Sequence, residues 1–234
     1  RITLPALPIQ YRDYALWQQQ YQDKHQLSQS ISYWQERLAG LPQLHDLPCA
    51  IPRPVSQSLR CQQHTLSLSA VQANQLNDFA KQNNMTLFML LHSALGILLS
   101  GHSNNADIVI GTPVANRLAP ELAPLIGCFI NNLVLRLDCQ ATQSVRAYFD
   151  QVRRVNQGAQ AHQVTPFEWL VEQLLTERNP SYAPLFQVML NLHSQRQNNL
   201  HLADFVVTEC AATELYSEYD LTFNVYWEEH ALVI

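Results

Sequence analysis

Apolar and polar positions follow two periods along the chain, and the switches between them mark out its elements. Over residues 9–23, Tyr14, Trp17 and Tyr21 recur at helical spacing, and over 30–39 Ile31, Trp34 and Leu38 do the same before Gly40. Two amphipathic helices are predicted, the second stopped by a glycine. Residues 41–58 then carry Pro42, Pro48, Pro52 and Pro54. Prolines at that density remove amide donors and fix the backbone, so an extended connector is expected there.

From residue 60 onward, strand and helix patterns alternate. Residues 64–68 read as a strand. Ser69 caps a helix with Val71, Leu76, Phe79 and Ala80 inward, and Thr86 caps a buried helix that Gly101 ends. Residues 107–111 predict a short buried strand, 111–124 a loop, and 129–137 a strand. A helix follows over 144–157, with Val145, Phe149 and Val152 inward. Alternation in the 129–137 strand puts Phe129, Asn131, Leu133, Leu135 and Leu137 on one face, and Ile130, Asn132, Val134 and Arg136 on the other. At 165–168, Thr165 reads as a helix cap, Pro166 as the first helical residue and Glu168 as the partner that closes a capping box, with Val164 and Trp169 as the staple. Such a cap contributes roughly 1 kcal/mol. Further strands are predicted at 186–192, 205–208, 221–227 and 231–234. The class is α/β or α+β with a mixed sheet.

Composition narrows the picture. A chain of 234 residues with 47% hydrophobic and 14% charged residues suits one large core and argues against disorder. So little charge also predicts surface covered by another body. The net charge of −5, with Arg153-Arg154 as the one notable basic pair, excludes a phosphate-binding surface and hence nucleic acid. Cys49, Cys61, Cys128, Cys139 and Cys210 are scattered and odd in number, as reduced thiols in a cytoplasmic protein would be. The apolar run 87–99 is interrupted by His92 and Ser93 and is too short to span a bilayer. The opening residues do not read as a signal peptide. Arg1 at the start and the apolar run 231–234 at the end predict that both ends cut through a larger structure. The six glycines form neither a dinucleotide-binding nor a phosphate loop, no G-x-S-x-G occurs, and the nine histidines lack metal-ligand spacing.

Four segments carry a resemblance. Residues 11–17 (YRDYALW) are similar to Y-x-D-Y-A-V-W, with Tyr11, Asp13 and Trp17 matching. Residues 126–136 (IGCFINNLVLR) are similar to I-G-x-F-V-N-T-L-V-L-R, with Gly127, Phe129, Asn131 and Arg136 matching. Residues 162–168 (HQVTPFE) are similar to H-Q-D-x-P-F-E through His162, Gln163, Pro166, Phe167 and Glu168. Residues 178–187 (RNPSYAPLFQ) are similar to R-D-x-S-x-x-P-L-F-Q through Arg178 and Pro184. In this order, over nearly the whole chain, they resemble the condensation domain of nonribosomal peptide synthetases. Asn132, Val164 and Asn179 stand where that family has Thr, Asp and Asp.

The resemblance implies a chloramphenicol acetyltransferase-like fold, two αβ lobes with a tunnel between them. Residues 1–58 would be the inter-lobe helices and connector, and 59–234 a partial C-terminal lobe, a two-layer sandwich with a mixed sheet. It implies amide formation between thioesters held on the phosphopantetheine arms of carrier proteins, with no cofactor bound directly. An adenylation domain and the N-terminal lobe would be neighbours. The family's catalytic H-H-x-x-x-D-G precedes the first of these motifs, and this chain has no adjacent histidines. The chain alone is therefore expected to be inactive. A cyclisation, ester-forming or epimerisation domain, or a non-catalytic carrier-docking remnant, stays open beside this reading.

For individual residues, two readings stand. Asn131, among apolar neighbours, needs partners: it either ties a loop to the sheet or, as the resemblance implies, lines the substrate channel near the reaction centre, with Asn132 as a further support of that channel. Arg136 is either a surface arginine or a buried partner, and the resemblance implies that Arg136 or Arg178 orders a carboxylate of the active-site segment. His162 is expected to end a helix and not to catalyse.

Overall fold

The computed structural model describes residues 5–22, 25–175, 179–193, 214–228 and 231–234, the side chains of 21, 22 and 25–27 excepted. The predicted strand 205–208, Arg178 and Cys210 lie outside the described residues. Helices α1 (Tyr11–Gln22) and α2 (His25–Arg37) come first, and Gly40 follows α2 with φ +64°. The connector leads to a short strand β1 (Arg60–Cys61), then β2 (Ser67–Leu68), α3 (Ala70–Gln82), α4 (Leu87–Ser103) and β3 (Asp107–Val114). Beyond these lie β4 (Asn131–Asp138), α5 (Val145–Ala161), α6 (Phe167–Leu174), β5 (Val188–His193), β6 (Leu215–Tyr216), β7 (Leu221–Glu228) and β8 (Ala231–Val233).

Six strands form one mixed sheet in the order β2-β8-β7-β5-β3-β4, and β1 pairs with β6 separately. The β3–β5 and β5–β7 pairs are parallel and the others antiparallel. Helices α3, α4 and α5 pack on one another and touch β8, β3 and β4, giving the helix layer of a two-layer sandwich. Ile108, Ile110, Val188, Leu190 and Val225 from the strands meet Ala73, Leu95 and Leu99 from the helices in a central core. Leu137 packs with Tyr148 and Val152 of α5. Trp34 and Leu38 of α2 pack with Val134, Leu170 and Phe186. The edge strand β4 is therefore buried on both faces.

Local caps place several helices where the pattern puts them. The Ser69 side chain accepts from the Gln72 N–H, completing a capping box with Gln72, and Thr86 and Ser144 accept from Met89 and Ala147. Other expectations are corrected. Val71 is 66% exposed and Phe79 nearly half exposed, while Ala80 is buried as expected and Ala73 is buried beside it, because α3 approaches α4 through its small residues. Helix α4 runs through Gly101, which faces open space, and stops at Asn104 in the left-handed region. Strand β3 runs past Gly111: a side chain there would lie 2.0 Å from the Phe186 ring, so this glycine marks a close approach and not a turn. In α5, Val145 is exposed and Tyr148, Val152, Asn156 and Ala159 are buried. That helix also continues four residues beyond the predicted end.

Candidate functional site

The motif segments meet on one wall. Tyr11 of α1 lies flat on Gly127, where an added Cβ would sit 2.2 Å from the ring, and its hydroxyl donates to the Cys128 carbonyl at 2.8 Å. Phe129 is buried between Tyr11, edge-on at 5.1 Å, and Tyr14 at 4.6 Å. The Asp13 carboxylate accepts from the Gln10 N–H at 2.8 Å and so caps the first turn of α1. Trp17 points outward, half exposed.

Two residues that sequence reasoning passed over shape the opposite side of this wall. The Arg117 guanidinium lies 4.0 Å over the Phe129 ring and donates to the carbonyls of Leu122 and, at 3.1 Å, Leu125. It folds the 117–129 segment around itself. Asn116 takes a left-handed conformation (φ 50°) and donates to the Tyr14 hydroxyl at 3.4 Å. A lone arginine after an asparagine in an otherwise apolar, proline-flanked loop was the available signal. Between α1 and the 116–122 segment runs a groove of about 520 Å³.

Asn131 ties this wall to α6. Its Nδ2 donates to the carbonyls of Gln163 and Thr165, both at 2.8 Å, and its Oδ1 accepts from the Phe167 N–H at 2.9 Å. This corrects the predicted capping box. Pro166 holds the cap position without a side-chain bond, Glu168 is exposed, and the buried Thr165 hydroxyl has no partner among the described residues. The asparagine of a distant strand supplies the bond that Thr165 was expected to make. Asn132 points the other way and bonds Tyr219, which stacks on Phe186 at 5.1 Å.

His162 caps the end of α5. Its Nδ1 is 2.9 Å from the Ser30 hydroxyl, its ring stacks on Tyr33 at 4.2 Å, and its carbonyl accepts from Trp34 Nε1 at 3.1 Å. Burial pushes its imidazole below the usual range. Gln163 bonds back to the Gln160 carbonyl at 3.0 Å.

Arg136 is already partnered. Nε and Nη2 donate to the two Asp107 oxygens at 2.8 Å each, and the remaining donors reach the carbonyls of Ala39 at 2.7 Å and Gly40 at 3.3 Å. The hydrogen bond to Asp107 raises its pKa further. The expectation of a guanidinium awaiting a carboxylate from elsewhere is corrected: its fork closes on β3 and caps the end of α2.

The end of the fourth motif has a similar role. Gln187, which sequence reasoning did not single out, accepts from the His45 N–H at 3.2 Å and donates to the Gln43 carbonyl at 3.1 Å. Asp220 grips the same connector through His45 Nε2 at 2.8 Å and through both arms of Arg53. Burial alone would raise the Asp220 carboxyl, but the bonds from His45 and Arg53 outweigh it and hold it down to about 2.

The family model of the condensation domain matches residues 2–234, and the chain belongs to this family. Its fold is chloramphenicol acetyltransferase-like. It is 38% identical to malpinin synthetase of Mortierella alpina over 226 residues, covering 97% of this chain and 3% of that protein. Among solved structures it is similar to the X-domain from teicoplanin biosynthesis, with a TM-score of 0.84 and 26% identity over 98% of this chain and 55% of that one. It is also similar to a holo four-domain nonribosomal peptide synthetase bound to AMP and glycine, with a TM-score of 0.74 and 27% identity over 87% of this chain and 17% of that one. The chain thus spans a small fraction of its synthetase relatives and about half of a related single domain. Among the described residues, no single helix is long and apolar enough to cross a membrane.

Proposed function

We propose that residues 1–234 are part of a condensation domain that joins two carrier-bound acyl groups through an amide bond, with 1–58 as inter-lobe helices and connector and 59–234 as the second lobe. The amine of an aminoacyl thioester on one carrier attacks the thioester carbon on the other. A C–N bond forms, the C–S bond breaks, and the donor phosphopantetheine thiol leaves with the proton that the amine gives up. An imidazole from an H-H-x-x-x-D-G segment outside this chain assists that proton transfer. Holding both tethered ends at attack distance is worth up to roughly 7–11 kcal/mol. The carriers, an adjacent adenylation domain and a cytoplasmic setting belong to this reading. Asn131, Asn132, Arg136 and Arg178 act as supports of the channel wall.

The observation that carries this reading is the meeting of the motif segments on one wall, Tyr11 on Gly127 and Asn131 on the 163–167 turn. Loaded donor and acceptor carriers test it. The complete domain is expected to yield amide product and residues 1–234 alone to yield none. Product from residues 1–234 alone would refute the division of labour, and no product from the complete domain would refute the activity. A second reading, a non-catalytic docking module, is favoured by the similarity to an X-domain and by Asn132, Val164 and Asn179 in altered motif positions. It predicts carrier or partner binding without product.

A further inference from the structure

Strand β4 ends the six-stranded sheet on one side, so its main chain pairs with a single neighbour. In an antiparallel pair, alternate residues turn their N–H and C=O towards that neighbour and the rest turn theirs away. The Cys139 N–H bonds the Ala106 carbonyl at 2.8 Å, one step beyond the unbroken register that joins Asp107–Val114 to Asn131–Asp138. Leu133, Leu135 and Leu137 therefore bond β3, and Val134, Arg136 and Asp138 face outward. At Asp138 the chain itself stands in for a further strand. Gln151 Oε1 accepts from the Asp138 N–H at 3.1 Å, and Gln143 Nε2 donates to its carbonyl at 2.7 Å. Two side-chain amides thus take the places of a neighbouring peptide group. Among the described residues, nothing does the same for the main chain of Val134 or Arg136.

A cleft of about 430 Å³ lies along these two residues. Tyr33, Trp34 and Arg37 of α2 form one wall, and Gln151 and Val155 of α5 the other. The two helices touch where Tyr33 meets Gly158, whose added Cβ would sit 2.5 Å from the hydroxyl, so the cleft is closed at the end away from Asp138. The opposite edge of the sheet, β2, is only two residues long, whereas β4 has eight residues and no bulge to discourage pairing. Unpaired main-chain groups on the floor of a cleft select an extended peptide, whose own N–H and C=O groups alternate to match them. A second sheet edge does not fit, because α2 and α5 stand on both sides and admit one strand. Of the charged side chains lining the cleft, Asp107 and Arg136 hold each other, and Asp138 lies at the open end. The Arg37 guanidinium is 5.8 Å from the centre of the Tyr33 ring and forms no ion pair among the described residues.

We propose that an extended segment of the synthetase chain, from outside the condensation domain, adds as a strand to the outer edge of β4. It bonds the main chain of Val134 and Arg136 and sets an acidic side chain against Arg37. The chain described here spans 3% of malpinin synthetase, so such a protein holds long stretches of polypeptide tethered to this domain. A tethered segment needs little affinity of its own to occupy the cleft. The inference rests on the reading of this chain as part of a synthetase and does not depend on the amide-forming step.

The test follows hydrogen exchange at single amides in the full-length synthetase. The Arg136 amide is expected to exchange at least tenfold more slowly in the unaltered protein than in its Arg37→Glu variant. Arg37→Gln, a milder change, should speed it severalfold. A diazirine analogue of leucine at Val155 then identifies the occupant in the otherwise unaltered protein. The expected cross-linked peptide comes from the same synthetase chain, outside the condensation domain, and contains Asp or Glu. An Arg136 amide that exchanges as fast as a free peptide group overturns the proposal, as do equal rates in the unaltered protein and both variants. A cross-link within the condensation domain, to a separate protein or to a peptide without an acidic residue overturns it too, and so does the lack of any cross-link. Amide formation is measured in parallel. A filled cleft in a protein that makes no amide counts against the activity alone, and an empty cleft in an active protein counts against the added strand alone.

Discussion

Asn131 opens β4 with its amide turned to the 163–167 turn, where it makes three hydrogen bonds. Asn131→Ala leaves two carbonyls and the first N–H of α6 short of partners, so denaturant unfolding should show a loss of about 2–3 kcal/mol. Asn131→Asp should fare no better, since both carbonyls would then face an acceptor. Alternation placed Asn131 among leucines and demanded partners for it. Which partners could not be read, because they lie more than thirty residues away and are backbone atoms without a sequence signature. His92 makes the complementary case. It is fully buried, its Nδ1 accepts from Asn156, and burial takes its pKa from 6.5 to about 3. The unfolded chain therefore binds a proton that the folded one refuses. Stability is fully present above pH 6.5 and should fall by up to about 1.4 kcal/mol per pH unit as pH drops from there towards 3. His92→Gln should flatten that part of the stability–pH profile, and an unchanged slope would count against this account.

At the level of elements, local signals were read well and crossing signals poorly. Ser69, Thr86 and Ser144 act three residues along the same helix, so their spacing is written in the sequence. Thr165 had the same spacing, but a strand elsewhere made its bond first. The inward face of α3 was misread where the larger Val71 outranked Ala73, because close packing of helices prefers the small side chain, and that of α5 where Val145 was read inward and Tyr148 and Asn156 were passed over. The junction of α1 with the 126–130 segment offers a direct check. Gly127→Ala forces its Cβ into the Tyr11 ring and should cost roughly 1–3 kcal/mol. Tyr11→Leu in the same protein should recover part of that loss, and a double-mutant cycle in denaturant with no coupling would mean that the two do not pack as described.

Across the whole molecule, the mixed α/β character and the motif order were legible, while the tethering of the connector was not. Prolines announced that residues 41–58 form no ladder, but nothing nearby named Gln187 and Asp220 as their anchors. The Asp220 carboxyl is held below its usual value, so its contribution is present above about pH 4 and is lost as pH falls towards 2. Asp220→Asn should cost roughly 2 kcal/mol at neutral pH and speed amide exchange along the connector. It also leaves Arg53 and His45, 3.4 Å apart, without a shared carboxylate. Unchanged exchange there would show that the apolar contacts of Leu41 and Leu47 hold the connector unaided.

The same anchor has a consequence for how the chain is made. His45 and Arg53 emerge from the ribosome 175 and 167 residues before the carboxylate that will hold them. Until that later stretch arrives, the early one lacks this anchor. Contacts so distant in sequence form slowly, so a newborn chain carries its proline-rich stretch without this anchor at least until Asp220 has left the ribosome.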